Sequence, residues 1–504
     1  MPSFGPVTRY PLSSDDPAHQ FEVHNPATGD VITTVQGAGV LEVERAIATA
    51  QKAYEEWRWV SPSQRAIYLN KAADHLAAHF DELAYLLSAE NGKPVAQARD
   101  YDINFLVLVF RYFGSLIDKL PGELYDKGGV YTSVLREPFG VVVGILPFNW
   151  PPLHAGGKAA PAIAAGNTII LKPGEQAPLT VLRVVELLQE VLPPGVVQAI
   201  PAQGIAVPQA LISSPHVKKV SFTGSTRGGA GAAALAAQSI TPMVLELGGK
   251  NALIVFDDAD LDLAVSSAID GGFFNKGEAC TASSRVLAQK GIYDKFIRRL
   301  GAAVRRLKVG DGSNPQTHIG GQITKQHQQR VEEYIRIGAE EGAKIFAQAP
   351  KPTDPRLAKG FYVQPTLFTG VTRDMRIAKE EVFGPVVAVI QFETYEEAIS
   401  ITNDSDYGLV AAVFTQDHTK ALRASREIDV GIVYINNFSR LVLGTPFGGA
   451  KQSGYGREHC IETLRDYSRA KAVHVPSGIG PVPRWRVLDD ITANLSDEET
   501  GDTV

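Results

Sequence analysis

The sequence predicts an α/β protein built on a mostly parallel sheet with helices on both faces. Three observations carry that reading. From Phe139 onward short apolar runs alternate with stretches of helical period, the runs end in Gly- and Pro-marked turns, and 47 glycines supply the tight connections such a sheet needs. At 504 residues the chain exceeds one ordinary core, so length alone predicts two to four domains.

Each element follows from local pattern. After a polar leader, 21–26 and 31–35 read as a short hairpin. Val43, Ile47, Ala50, Tyr54 and Trp57 recur at spacings of four and three, which predicts an amphipathic helix. A second helical pattern begins at Pro62, a first-turn position, runs through Ile67, Leu69, Leu76, Phe80, Leu83 and Leu87, and stops at Asn91-Gly92. Then 139–146, 168–171, 196–200, 217–222, 243–247 and 252–256 read as strands, with a helix over 180–192. The Gly-rich turn 223–229 leads into an Ala-rich helix from Ala230, and exposed amides at a helix N-terminus can receive a pyrophosphate.

A second α/β segment follows Ile269, with strand 286–289, helices 293–307 and 325–339, strand 386–392, helix 395–403 and strand 431–436. The stretch 469–475 alternates like a strand and is expected to pair with another chain. Beyond Pro476 the chain turns Pro-rich and then acidic, with Asp489, Asp490, Asp497, Glu498, Glu499 and Asp502, which predicts a loosely ordered tail.

Composition narrows the function. A chain 44% apolar and 21% charged is that of a soluble globular protein, and a net charge of −6 without a basic stripe argues against nucleic acid. The two cysteines, Cys280 and Cys460, exclude a disulfide framework and point to a reducing compartment, with the cytoplasm as the expected location. Eleven histidines scatter without ligand spacing, so no metal is expected. The first sixteen residues lack a basic region followed by an apolar run, and the apolar run 105–110 is broken by Arg111, so neither a signal peptide nor membrane association is expected.

The chemistry lies in three Gly- and Pro-punctuated segments. Segment 274–280 holds a thiol at Cys280, 246–250 a carboxylate at Glu246, and 147–151 an amide at Asn149. Taken singly, a lone cysteine is usually inert core, a strand-end glutamate a solvated cap, and an asparagine between Phe148 and Trp150 a turn residue. Their conjunction beside a nucleotide-type α/β pattern points to catalysis. Lys172 and Glu175 stand just past a strand end, where ligands of such sheets bind.

These segments, with Phe222 to Gly229, Glu381 to Pro385 and Pro446 to Gly449 in the same order, resemble the aldehyde dehydrogenase superfamily from about Phe21 to Val475. The resemblance implies a Rossmann-like NAD(P) domain (1–118 and 139–247), an α/β catalytic domain (248–449) and a small β oligomerisation element (119–138 and 466–477). A return segment (450–465) and the tail (478–504) complete the chain, and the expected assembly is a homodimer or homotetramer.

The resemblance also implies roles. Cys280 would attack a small-molecule aldehyde, Asn149 and the Cys280 N–H would hold the oxyanion, and Glu246 would activate the water that cleaves the thioester. Lys158 is placed with these catalytic residues. For the cofactor, Glu381 and Phe383 map to the nicotinamide ribose, Lys172 and Glu175 to the adenine ribose, and Gly224 and Ser225 to the pyrophosphate. Gly229, Leu247, Leu146 and Phe148 complete the set. Glu175 would repel a 2′-phosphate, so NAD is expected in preference to NADP, an effect that Lys172 tempers.

Two departures qualify the match. Glu278 stands where many members carry glutamine; turned inward it would raise the Cys280 pKa and compete for the base role, and the expectation is that it is paired or averted. Gly157 stands where a bulky aromatic is frequent. With Trp150, His154, Phe274, Phe438 and Leu441 it predicts a broad apolar channel for medium-chain or aromatic aldehydes. Two rivals are a CoA-acylating enzyme, opposed by the presence of Glu246, and a non-catalytic relative, opposed by intact Cys280, Glu246, Asn149 and Glu381.

Overall fold

The computed structural model describes residues 2–120, 122–438, 441–485 and 487–493. Asp497, Glu498, Glu499 and Asp502 of the expected tail lie outside the described residues.

Continuous apolar runs become strands buried on both faces. Val141–Ile145 and Thr168–Lys172 are buried at every position, the burial that a parallel strand covered by helices on both sides requires. They belong to a six-stranded sheet ordered Gly454–Tyr455, Met243–Glu246, Val217–Thr223, Val141–Ile145, Thr168–Lys172, Val197–Ala199. All its pairings are parallel except that of Gly454–Tyr455, which returns antiparallel to Met243–Glu246. The chain reverses its direction of travel across the sheet between Val141–Ile145 and Val217–Thr223, and a crevice opens at the strand ends there.

The second α/β segment forms a seven-stranded sheet ordered Lys344–Gln348, Thr366–Thr369, Val386–Phe392, Arg285–Gln289, Ala252–Val255, Val410–Phe414, Ile432–Ile435. Only the Lys344–Gln348 edge is antiparallel.

Two expectations change. The helical pattern 62–91 is two helices, Pro62–Ala78 and Phe80–Asn91. The first closes when His79 leaves helical geometry (φ −106, ψ 21); the second places Asp81 and Glu82 in its first turn, where the helix dipole favours them. The Ala-rich helix spans Thr226–Gln238 and so begins before Ala230, because the Ser225 hydroxyl accepts the Gly228 N–H at 3.1 Å and caps it. Ser468–Pro476 pairs with Val130–Pro138 of its own chain, which pairs in turn with Glu123–Asp126. One long in-register antiparallel ladder pairs one side of its backbone, and its other side is the edge of the sheet.

Among the described residues no helix is long and apolar enough to cross a membrane, and no cluster of three or more His, Cys, Asp or Glu is arranged to hold a metal.

Candidate active site

The loop that carries the thiol is conformationally unusual. After helix Leu261–Phe273, residues Asn275 (φ 49), Lys276 (φ 64) and Gly277 (φ 73) are all left-handed. Asparagine and glycine tolerate this; for lysine it costs roughly 1–2 kcal/mol. Buried contacts offset that cost. Lys276 Nζ donates to Asn91 O at 2.5 Å and Asn91 Oδ1 at 3.1 Å, and lies 2.9 Å from Glu278 Oε2. Gly277 has no alternative, since a Cβ there would fall 2.2 Å from Gly384 C and O. Gly277→Ala is therefore expected to destabilise the protein by about 2–4 kcal/mol through strain plus overlap. Urea unfolding checks this, and an unchanged midpoint would refute it.

The same turn locks the amide segment to the thiol segment. Asn149 Nδ2 donates to Glu278 O at 3.1 Å; Asn275 Nδ2 donates to Glu278 O at 2.9 Å and to Asn149 O at 3.1 Å. Lys93 Nζ, paired with Asp102, donates to Asn149 O at 2.9 Å, and Asn91 Nδ2 reaches Phe148 O at 2.9 Å. Glu278 is fully buried and averted from the thiol, its Oε1 accepting the Ile323 N–H at 2.8 Å and its Oε2 facing Lys276.

Burial, then the charges of Glu246 and Glu381, push the Cys280 thiol up to about 12. Glu246 ends strand Met243–Glu246, is 3% exposed, and neither of its carboxylate oxygens has a hydrogen-bond partner among the described residues. Burial and the charge of Glu458 raise its pKa well above the carboxylate range, against the pull of Lys158 and Arg457. Loop 446–449 closes over it: a Cβ on Gly448 would stand 2.8 Å from Glu246 Oε1.

Behind Glu246 lies a buried pair that sequence reading half missed. Lys158 Nζ sits 2.6 Å from Glu458 Oε1 and 2.8 Å from Ser221 Oγ, so Lys158 reaches the site through Glu458. Against burial, Lys158, His459 and His154 hold Glu458 down at about 2. The partners are 300 residues apart in sequence, a separation no local pattern signals.

A cavity of about 340 Å³ opens at the switch point and reaches Cys280. It brings together Asn149, Glu246, Leu146, Phe148, Leu247, Gly224, Ser225, Glu381, Phe383 and His154, as foreseen, and adds Thr223, His327 and Arg330. His327 and Arg330 come from helix Lys325–Glu340 of the other sheet: His327 Nε2 is 2.7 Å from Phe383 O, and Arg330 donates to Glu381 O at 3.1 Å. Glu381 Oε1 accepts the Gly249 N–H at 2.9 Å, and Gly248 leaves the room this needs, since its Cβ would lie 2.4 Å from Glu381 Oε2.

Gln176 also borders an adjoining groove that contains Glu175, whose Oε2 accepts the Gly204 N–H at 2.7 Å. Lys172 is buried at its strand end, and burial brings its pKa down to about 8. Gly229 does not face the cavity as a cofactor residue: it lies inside the helix, where a Cβ would meet Leu247 Cδ2 at 2.4 Å. Its role is close packing.

Residues 12–473 match the model of the aldehyde dehydrogenase family. The chain belongs to that family. It is 57% identical over 485 residues to the aldehyde dehydrogenase citD of Monascus ruber, covering 96% of this chain and 97% of the relative. Among solved structures it resembles PnpE of Pseudomonas sp. WBC-3 in complex with nicotinamide adenine dinucleotide, with TM-score 0.90, 39% identity, and 92% and 96% of the two chains covered. Betaine aldehyde dehydrogenase of Staphylococcus aureus in complex with NAD+ is similar at TM-score 0.89 and 38% identity, with 93% and 94% covered.

In this aldehyde dehydrogenase an aromatic cluster forms next to Asn149. Trp150 lies 5.7 Å from Phe274 between ring centroids, and Tyr101 packs edge-on to both, at 6.4 and 4.7 Å. Leu441 is half-buried between the two main cores; Phe438 is buried against Tyr434 and Gly271. Gly157 does not open a channel. A Cβ there would fall 2.5 Å from His459 Cε1, because the His459 ring fills the space, held between Phe105 at 4.9 Å and Phe447 at 5.8 Å. His459 is itself left-handed (φ 66), and that backbone turn aims its ring inward.

Proposed function

We propose that this enzyme oxidises an aldehyde to its carboxylic acid with NAD, through a thioester on Cys280 that water cleaves. The convergence of Cys280, Asn149 and the unpartnered carboxylate of Glu246 on one cavity carries the reading. The residues present fit the cofactor. Thr223 Oγ1 is buried and unpartnered among the described residues, and the Ser225-capped N-terminus of Thr226–Gln238 presents amides suited to a pyrophosphate. Glu381 would hold the nicotinamide ribose, Glu175 the adenine ribose. NAD, when bound, supplies the acceptor for a hydride.

The chain's own residues do the rest. Cys280 attacks the carbonyl carbon as the thiolate, its Sγ proton leaving to solvent through the cavity. The Asn149 amide and the Cys280 N–H stabilise the oxyanion of the resulting tetrahedral adduct. After hydride loss, Glu246 takes a proton from the water that attacks the thioester and returns it to the Cys280 sulfur as the C–S bond breaks, so the acid leaves and the thiol is restored. Asn149→Ala is expected to lower kcat roughly 100- to 1000-fold with a smaller change in KM, as for other lost oxyanion donors. Steady-state kinetics checks this; a kcat within fivefold of the parent would remove Asn149 from the role.

The aromatic wall of Trp150, Phe274 and Tyr101 supports aromatic or medium-chain aldehydes, and Glu246 supports hydrolysis over transfer to CoA. Glu175 beside its groove supports NAD over NADP. The exposed Leu124, Leu135 and Val475 of the three-stranded sheet support a homodimer or homotetramer, and the cysteine count a cytoplasmic setting. The test is NADH formation with aliphatic, aromatic and semialdehyde substrates, with NAD or NADP, and with or without CoA. Aromatic turnover with NAD, independent of CoA, is the expected result; strict CoA dependence would replace hydrolysis with acylation.

A further inference from the structure

The acyl wall of the site holds polar groups that nothing in the described protein satisfies. Trp150 Nε1 and His154 Nδ1 are buried without a hydrogen-bond partner, in side chains 6% and 5% exposed. A buried indole N–H ordinarily finds an acceptor, and it can only donate. The two residues are one helical turn apart: Trp150 caps helix Pro151–Ala164, and the His154 N–H donates to Trp150 O at 3.0 Å. One turn further along, against Gly157, His459 Nδ1 is also unpartnered. His154 borders the Cys280 cavity, and Trp150 adjoins Asn149 and lies tilted against Phe274.

The cations nearby are already committed. Lys158 is bonded to Glu458 and Ser221, and Lys93 to Asp102 and Asn149 O. Burial, with the charge of Lys158, pushes His154 down to about 3, so its imidazole is neutral. The wall thus offers neutral hydrogen bonds in aromatic surroundings, and a neutral oxygen is the ligand group that answers them.

We propose that the aldehyde taken by this site carries an oxygen substituent on its acyl portion, a hydroxyl or carbonyl, that hydrogen-bonds to Trp150 Nε1–H and His154. The inference rests on the aldehyde-oxidising reading and names the substrate class within it. Size alone cannot mimic it. A purely apolar wall treats hydroxyl and methyl substituents nearly alike or favours methyl, whereas a wall with an unmet indole donor favours hydroxyl strongly.

The test compares benzaldehydes bearing a hydroxyl or a methyl group at the same ring position, with wild type, Trp150→Phe and His154→Phe. Calorimetric binding of the same pairs to full-length Cys280→Ala protein is measured alongside. A hydroxyl-to-methyl ratio in kcat/KM of at least about tenfold at one ring position, falling fivefold or more in either variant, is expected. A ratio of one or below at every position, or a preference unchanged in both variants, overturns the proposal. If no aldehyde is oxidised while Cys280→Ala binds the hydroxyl members tenfold tighter, oxidation fails and the recognition stands.

Discussion

A Cys280→Ala protein is expected to lose aldehyde-dependent NADH formation by on the order of 10⁴-fold or more, while folding normally and still binding NAD. The size follows from the chemistry. An aldehyde carbon must become tetrahedral before it can release a hydride, and in the proposed mechanism the thiol is the nucleophile that makes it so. No nearby group replaces it, since Glu246 and Glu381 are carboxyl groups and the other cysteine, Cys460, is buried in its own hydrogen bonds with Thr463. The fold has little stake in the sulfur, because the loop is held by Asn275, Lys276 and Glu278 rather than by the thiol. Steady-state assays, with thermal melting and cofactor titration as controls, check the result. Residual turnover within tenfold of the parent would remove Cys280 from the mechanism.

The second large effect belongs to Glu246→Gln. This isosteric change leaves a side chain that fits the same space but cannot take a proton, so hydrolysis of the thioester should slow roughly 10²- to 10⁴-fold. Acylation can still complete once at each site. Rapid mixing is therefore expected to show a burst approaching one NADH per active site and then near arrest. A proportional loss of burst and steady state would place the defect before the thioester. In the parent enzyme the pH dependence has a definite sign. Burial and Glu458 raise the Glu246 pKa, and a base acts only when deprotonated, so kcat should rise as pH climbs through that raised value and level off above it. Because Glu458 raises Glu246 by its negative charge, Glu458→Gln should move the rising limb to lower pH.

Much of the scaffold was legible because its rules are local. Alternation of apolar runs with helical period located five of the six strands of the first sheet and four of the seven of the second, missing Lys344–Gln348, Thr366–Thr369 and Val410–Phe414, and Asn91-Gly92 marked a helix end where Gly92 is indeed left-handed (φ 86). The break at His79 escaped notice since Pro62 through Leu87 keeps one apolar period across two helices. Ser225 as a helix cap was readable in principle; two glycines after it obscured the start.

By itself the sequence determined the α/β class, the thiol, carboxylate and amide, and the family whose motifs carry them, because each depends on residues close together in the chain. Tertiary structure alone decided what surrounds them. Glu458 meets Lys158 across 300 residues, His327 and Arg330 enter from the second sheet, and His459 fills the space that Gly157 leaves. A glycine in sequence is an absence of side chain, and whether that absence is a channel or a socket depends on packing from distant segments in a close-packed interior.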